Sequence, residues 1–190
     1  MDRPVRLAIA GAGSRGAVYA GYAERFPERA QVTAVAEPRP AHRQALAQRH
    51  RLSAAQVFAD WAQMAAARPA ADAVVIATQD AMHVEPAQAF AALGYHLLLE
   101  KPMAPDEAGC RAIHAAVRSA GVLCAVCHVM RYTGYTRRLK AIVDSGELGE
   151  VVSIEHLEPV GYWHQAHSFV RGNWRNEAQS SPMLLAKSCH

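Results

Sequence analysis

The sequence predicts an α/β fold over roughly residues 1–128, a doubly wound parallel sheet with helices on both faces. Three observations carry this. Short apolar runs alternate with segments of helical pattern along the first two thirds of the chain. The runs are apolar on both faces, as strands enclosed by two helical layers must be. The first run passes straight into Gly11-Ala12-Gly13-Ser14-Arg15-Gly16, and the second ends on an acid, Glu37.

The elements follow in order. Val5 to Ala10 reads as the first strand, and residues 15–26 place Val18, Tyr22 and Phe26 at intervals of four, one face of a helix. Gln31 to Ala36 is a second strand, and Pro40 to Arg49 has helical composition. Val57-Phe58 is a short third strand, followed by a helix around Trp61 and Met64. Asp72 to Thr78 contains the buried run Val74-Val75-Ile76, and Val84 to Leu93 is helical. Tyr95 to Glu100 supplies Leu97-Leu98-Leu99, a helix runs from about Pro105 to Ala120, and residues 122–127 form a sixth strand. From 129 to 190 the pattern changes, and a second, incomplete domain is expected there. Thr136 to Asp144 is helical, Ser145 to Gly149 is a turn, and Val151 to Glu158 alternates as an antiparallel strand with one half-buried face does. Residues 161–182 are rich in Gly, Trp, His, Asn and Ser, with little periodicity.

Composition narrows the function. Hydrophobic residues are 51% and charged ones 19%, enough apolar surface for a real core. A formal charge of +3 with no basic stripe argues against nucleic acid, and Arg137, Arg138 and Lys140 read as a solvated helix face. No apolar run approaches the roughly 20 residues of a membrane span. The N-terminal apolar stretch is too short for a signal peptide, so a cytoplasmic location is expected. Cys124-Ala125-Val126-Cys127-His128 has the spacing of haem attachment and of a redox pair. Because it sits in an apolar strand-like run, core thiols are the expected reading.

The glycine loop follows a strand and opens a helix, the setting in which GxGxxG becomes informative. Gly11 permits the tight turn, Gly13 lets backbone approach a pyrophosphate, and Gly16 allows close helix–strand packing. The helix start at Ser14 and Arg15 offers unpaired N–H groups to the anion. An acid about 20 residues further on belongs to the same pattern, where it accepts bonds from a ribose diol and repels a 2′-phosphate. Glu37 fills that place, so a Rossmann-type domain binding NAD is predicted. Arg15 and Arg39, nearby in sequence, keep NADP open. Ligands of such sheets gather at the carboxyl ends of the strands. Thr78-Gln79-Asp80, Glu100-Lys101-Pro102 and His128 all emerge there. Lys101, placed before a proline, is a candidate to bind or move a hydroxyl proton.

Ala73 to Thr78, His83, and Gly94-Tyr95-His96-Leu97-Leu98-Leu99-Glu100-Lys101-Pro102 together resemble the glucose–fructose oxidoreductase/inositol dehydrogenase (Gfo/Idh/MocA) family. The likeness covers essentially the whole chain and is strongest over residues 5–150. It implies a second α+β domain built on a mostly antiparallel sheet, and oxidation or reduction of a CH–OH group on a sugar, cyclitol or related polyol. It implies that Lys101 is catalytic, that Glu100 holds its loop, and that Thr78, Gln79 and His83 line the cofactor. Ser180 to His190 resembles the family's second motif, making His190 the catalytic histidine. The motif's acid falls on Ala186, beside Lys187, which suggests another proton route. Because the sequence stops at His190, a fragment is expected, with a lone strand at 151–158 exposing its edge and copies pairing into a homo-oligomer.

Metal binding by His164, His167, Cys189 and His190 has irregular spacing and is not expected. Trp163, His164, His167, Arg171, Asn173, Trp174 and Arg175 suit either a loop facing a polyhydroxylated substrate or an ordered surface loop. Two other functions fit the same motifs. One is an NAD-dependent glycosidase working by transient oxidation. The other is a non-catalytic dinucleotide-binding regulatory module.

Overall fold

The apolar runs become six strands in one parallel sheet: β1 (Val5–Ala10), β2 (Ala30–Ala36), β3 (Val57–Phe58), β4 (Ala73–Ile76), β5 (His96–Leu99) and β6 (Cys124–Val126). This is a computed structural model, describing residues 3–157 and 159–183. Spatial order is β3-β2-β1-β4-β5-β6, and every pairing is parallel. The order reverses between β1 and β4, the switch point at which dinucleotides bind in such sheets. Between the strands lie α1 (Ser14–Arg25), α2 (Pro40–Arg49), α3 (Trp61–Ala67), α4 (Val84–Ala92) and α5 (Glu107–Ala120).

Alternation along each strand sorts the core into two layers. Ala8, Ala10, Val74, Ile76, Leu97 and Leu99 pack with Met64 of α3, Phe90 of α4 and Ile113 of α5. Ile9, Val32, Val35 and Val75 pack on the other side with Ala20 and Ala23 of α1 and Leu46 of α2. Two covered faces are what a both-sides-apolar strand demands. The helices end where chemistry tells them to. Asp60 and Asp106 cap α3 and α5 by accepting from the Gln63 and Gly109 amides, and Gly121, at φ 65°, terminates α5.

The chain divides into two compact units, Met1–Val126 and Cys127–His190. In the second, α6 (Gly134–Ser145) is capped by the Thr133 hydroxyl and stopped by Gly146. Further on, α7 (Tyr162–Gln165) runs into a π-helical turn over Ala166–Val170. The strand expected at 151–158 is a correction. Residues 151–157 form no ladder, and residue 158 lies outside the described residues. Alternation alone does not make a strand, because its N–H and C=O groups need a neighbour to pair with. β6 also differs from expectation. It is an edge strand, half-buried, and Leu123 before it is exposed. Among the described residues no helix is long and apolar enough to cross a membrane.

Candidate dinucleotide and catalytic site

The glycine loop is built as its spacing requires. Gly11 has φ +97°, and a Cβ there would lie 2.5 Å from the Ala77 carbonyl oxygen. A Cβ on Gly16 would lie 1.8 Å from the Gly11 carbonyl oxygen, so α1 packs against the turn as only glycine allows. Gly13 is the N-cap of α1, with no side-chain cap and no acid in the first turn. The N-terminus of a twelve-residue helix is thus left open to an anion, beside exposed Ser14 and Arg15. This cradle fits a dinucleotide pyrophosphate.

Glu37, at the end of β2, is buried. Its Oε2 accepts from the Ala12 N–H at 2.8 Å and from Arg39 Nη2 at 3.1 Å. Its Oε1 accepts from the Arg39 N–H at 3.0 Å and from Arg39 Nε at 2.7 Å. Burial alone would push this carboxyl up, but the bonds from Arg39 and Ala12 outweigh it and hold the group below its ordinary range. Glu37 therefore clamps the loop to the turn after β2, a role its sequence position did not reveal.

On the other side of the switch point, Glu100 is also buried. Its Oε1 accepts from the Tyr19 hydroxyl at 2.7 Å, and Arg15 Nε lies 3.9 Å away. Its Oε2 accepts from the Lys101 N–H at 2.9 Å. One carboxylate thus ties the Lys101 backbone to α1. Tyr19 was not expected here; its signal is the four-residue step from Arg15, which puts both on one helix face.

His83 is fully buried between two loops. Its Nδ1 is 2.8 Å from the Pro102 carbonyl oxygen and its Nε2 is 3.3 Å from that of Thr78. It joins the loops after β4 and β5, positioning rather than presenting itself. The Thr78 hydroxyl donates to the Met82 carbonyl, and Gln79 is exposed. The peptide between Lys101 and Pro102 is cis. His190, Ala186, Lys187 and Cys189 lie outside the described residues, and His128 belongs to the second unit.

In that second unit, His167, Ser168, Arg171, Gly172, Asn173 and Trp174 line a cavity of about 440 Å³. Trp163 stacks on His164 with ring centroids 5.3 Å apart. Among the described residues no three His, Cys, Asp or Glu side chains gather as metal ligands. Cys110 and Cys124 are free thiols, Cys127 is buried, and burial pushes the Cys124 thiol up, away from reactivity.

Residues 5–128 match the sequence profile of GFO_IDH_MocA, the oxidoreductase family with an NAD-binding Rossmann fold. The chain belongs to the Gfo/Idh/MocA family. It is 35% identical over 150 residues to inositol 2-dehydrogenase of Streptomyces avermitilis, covering 78% of this chain and 43% of that protein. The WlbA dehydrogenase of Bordetella pertussis, solved with NADH and UDP-GlcNAcA, superposes with a TM-score of 0.71 at 26% identity, covering 77% of this chain and 44% of that one. The apo scyllo-inositol dehydrogenase of Lactobacillus casei shares the fold with a TM-score of 0.73 at 21% identity, covering 79% and 44%. The Gfo/Idh/MocA chain thus spans less than half the length of these relatives.

Proposed function

We propose that this chain serves an NAD(P)-dependent oxidoreductase acting on the CH–OH group of a sugar, cyclitol or related polyol. The observation that carries the reading is the convergence at one sheet edge of an open helix N-terminus at Ser14 with the buried Glu100, which holds the Lys101 backbone to that helix. Inositol and sugar-nucleotide names among the relatives support the substrate class.

The bound dinucleotide supplies a hydride acceptor or donor. The loop amides at Gly13, Ser14, Arg15 and Gly16 would hold its pyrophosphate, Glu37 at the end of β2 would lie beside its adenosine ribose, and Thr78 and Gln79 would line its path. Glu100 and His83 fix the two loops that carry these groups. Lys101 then hydrogen-bonds the substrate hydroxyl and takes its proton as the hydride leaves, or returns it in reduction. His190 shares that proton work. Residues 129–190 serve substrate binding and assembly, the protein works as a cytoplasmic homo-oligomer, and neither nucleic acid nor membrane is its partner.

The test has two readouts. Energy transfer from tryptophan to NADH reports cofactor binding without turnover, and nicotinamide absorbance with a panel of cyclitols and sugars reports chemistry. Saturable binding is expected of this chain, and polyol-dependent NAD⁺ reduction of a chain completed to the length of its relatives. A folded chain that binds no dinucleotide would overturn the proposal.

A further inference from the structure

The acid at the end of β2 ordinarily chooses NAD, because a carboxylate accepts the ribose diol and repels a 2′-phosphate. Glu37 is not in that condition. A carboxylate has about four acceptor positions, and here Ala12 and Arg39 supply four donors to them. A ribose diol therefore finds Glu37 occupied, and the Arg39 charge cancels the repulsion a phosphate would meet.

Arg39 is placed to do more than neutralise. A guanidinium has five N–H donors in a rigid fork. Glu37 receives those of Nε and one from Nη2, and no other bond of this guanidinium is found among the described residues. The Nη1 side is uncommitted, and the side chain is 55% exposed. A Cβ on Gly13 would lie 3.3 Å from Arg39 Nη2, so the guanidinium lies against the phosphate-binding loop. Arg43 Nη1 donates to the Glu37 and Pro38 carbonyls, which pins the turn and brings a second positive charge close.

We infer that Arg39 is the cofactor-discriminating residue of this site: while one edge of its guanidinium holds Glu37, the other binds the 2′-phosphate, so the loop takes NADPH as well as NADH. The inference rests on the dinucleotide reading above and adds the choice between the two cofactors. Bidentate guanidinium–phosphate pairing is the strong form of such contacts.

Parallel titrations with NADH and NADPH, read by energy transfer from tryptophan, test it on the wild-type chain, Arg39→Ala and Arg39→Lys. The wild type is expected to bind both within about tenfold. Arg39→Ala frees Glu37 for the diol, so NADPH should weaken about tenfold or more while NADH changes less than about threefold. Arg39→Lys, which keeps the charge and loses the fork, should fall between. Added salt should weaken NADPH more than NADH. Wild-type binding of NADH with NADPH more than about a hundredfold weaker would overturn the inference. So would an Arg39→Ala chain, folded by circular dichroism, that loses both cofactors equally. Failure of both in the folded wild type would instead sink the dinucleotide reading beneath it.

Discussion

Gly16 and Gly21 sit five residues apart on α1, and the space around each differs sharply. A Cβ on Gly16 meets the Gly11 carbonyl oxygen at 1.8 Å and Ile9 Cγ2 at 3.3 Å, whereas one on Gly21 meets nothing within 4 Å. Gly16→Ala must move backbone, so it should cost about 2 kcal/mol or more and abolish NADH binding. Gly21→Ala, in a helix interior, should instead stabilise by about 0.5–1 kcal/mol and leave binding intact. Urea denaturation of the three chains decides this, and equal effects at both sites would refute the packing account. Lys101 separates binding from chemistry. Lys101→Ala leaves Glu100 its bonds to Tyr19 and to the residue-101 N–H, so NADH affinity should stay within about threefold, while polyol-dependent turnover by a chain completed to the length of its relatives should fall about 10²-fold or more. Turnover that survives the substitution would remove Lys101 from the proton's route. Both the glycine loop and Glu100-Lys101-Pro102 were legible because each is a contiguous motif whose chemistry depends on close spacing. The fold-back of Arg39 onto Glu37 and the bridge made by His83 were not. Which partner a charged or polar side chain chooses depends on how elements distant in sequence lie against one another.

The strands illustrate what an element reveals about itself. Runs such as Val74-Val75-Ile76 and Leu97-Leu98-Leu99 located β4 and β5 to within a residue or two, because a parallel strand between two helical layers has no polar face to blur it. What joins elements at their far ends left no such mark. At the amino end of the sheet, Asp72 accepts from Arg3 at 2.6 and 2.8 Å, and from the Arg6 amide and Nη2 at 2.8 Å each. Nothing in the sequence around Asp72 announces a clamp between the start of β1 and the start of β4, since its partners lie more than sixty residues away. Arg3 first, then Arg6, hold its carboxyl well below the ordinary range. The sign follows from linkage. A carboxyl depressed in the folded state and near 3.9 in the unfolded one stabilises fully above that value, and the contribution fades as pH falls from about 5 toward the folded pKa. Asp72→Asn should therefore be less stable than the wild type at pH 7 and lose less on acidification to about pH 3. Urea midpoints at the two pH values measure it, and parallel losses in both chains would show that Asp72 is not the group responsible.

Across the whole molecule, apolar surface is distributed unevenly. The first unit buries most of its large aliphatic residues on both faces of the sheet, Val18 and Leu123 being exposed. The second leaves Tyr135, Leu139 and Val143 of α6 exposed at 76%, 46% and 41%, and Val152, Ile154 and Leu157 more exposed still in 151–157. The alternation of 151–157 was readable in sequence, but its outcome was not, because a strand is a property of a pair. The α6 residues recur every four positions and so share one face, and exposed apolar stripes of this kind mark surfaces that associate. If copies of this chain cover one another there, as the proposed homo-oligomer requires, sedimentation velocity should show an average mass that rises with protein concentration. Tyr135→Ser with Leu139→Ser should return the chain to a single species. Neither side chain is buried in α6, so the double variant should keep its circular dichroism and its NADH binding. Loss of association with binding retained would separate assembly from the dinucleotide site. A wild-type chain that sediments as one monomeric species at every concentration would mean that α6 meets something other than its own copy.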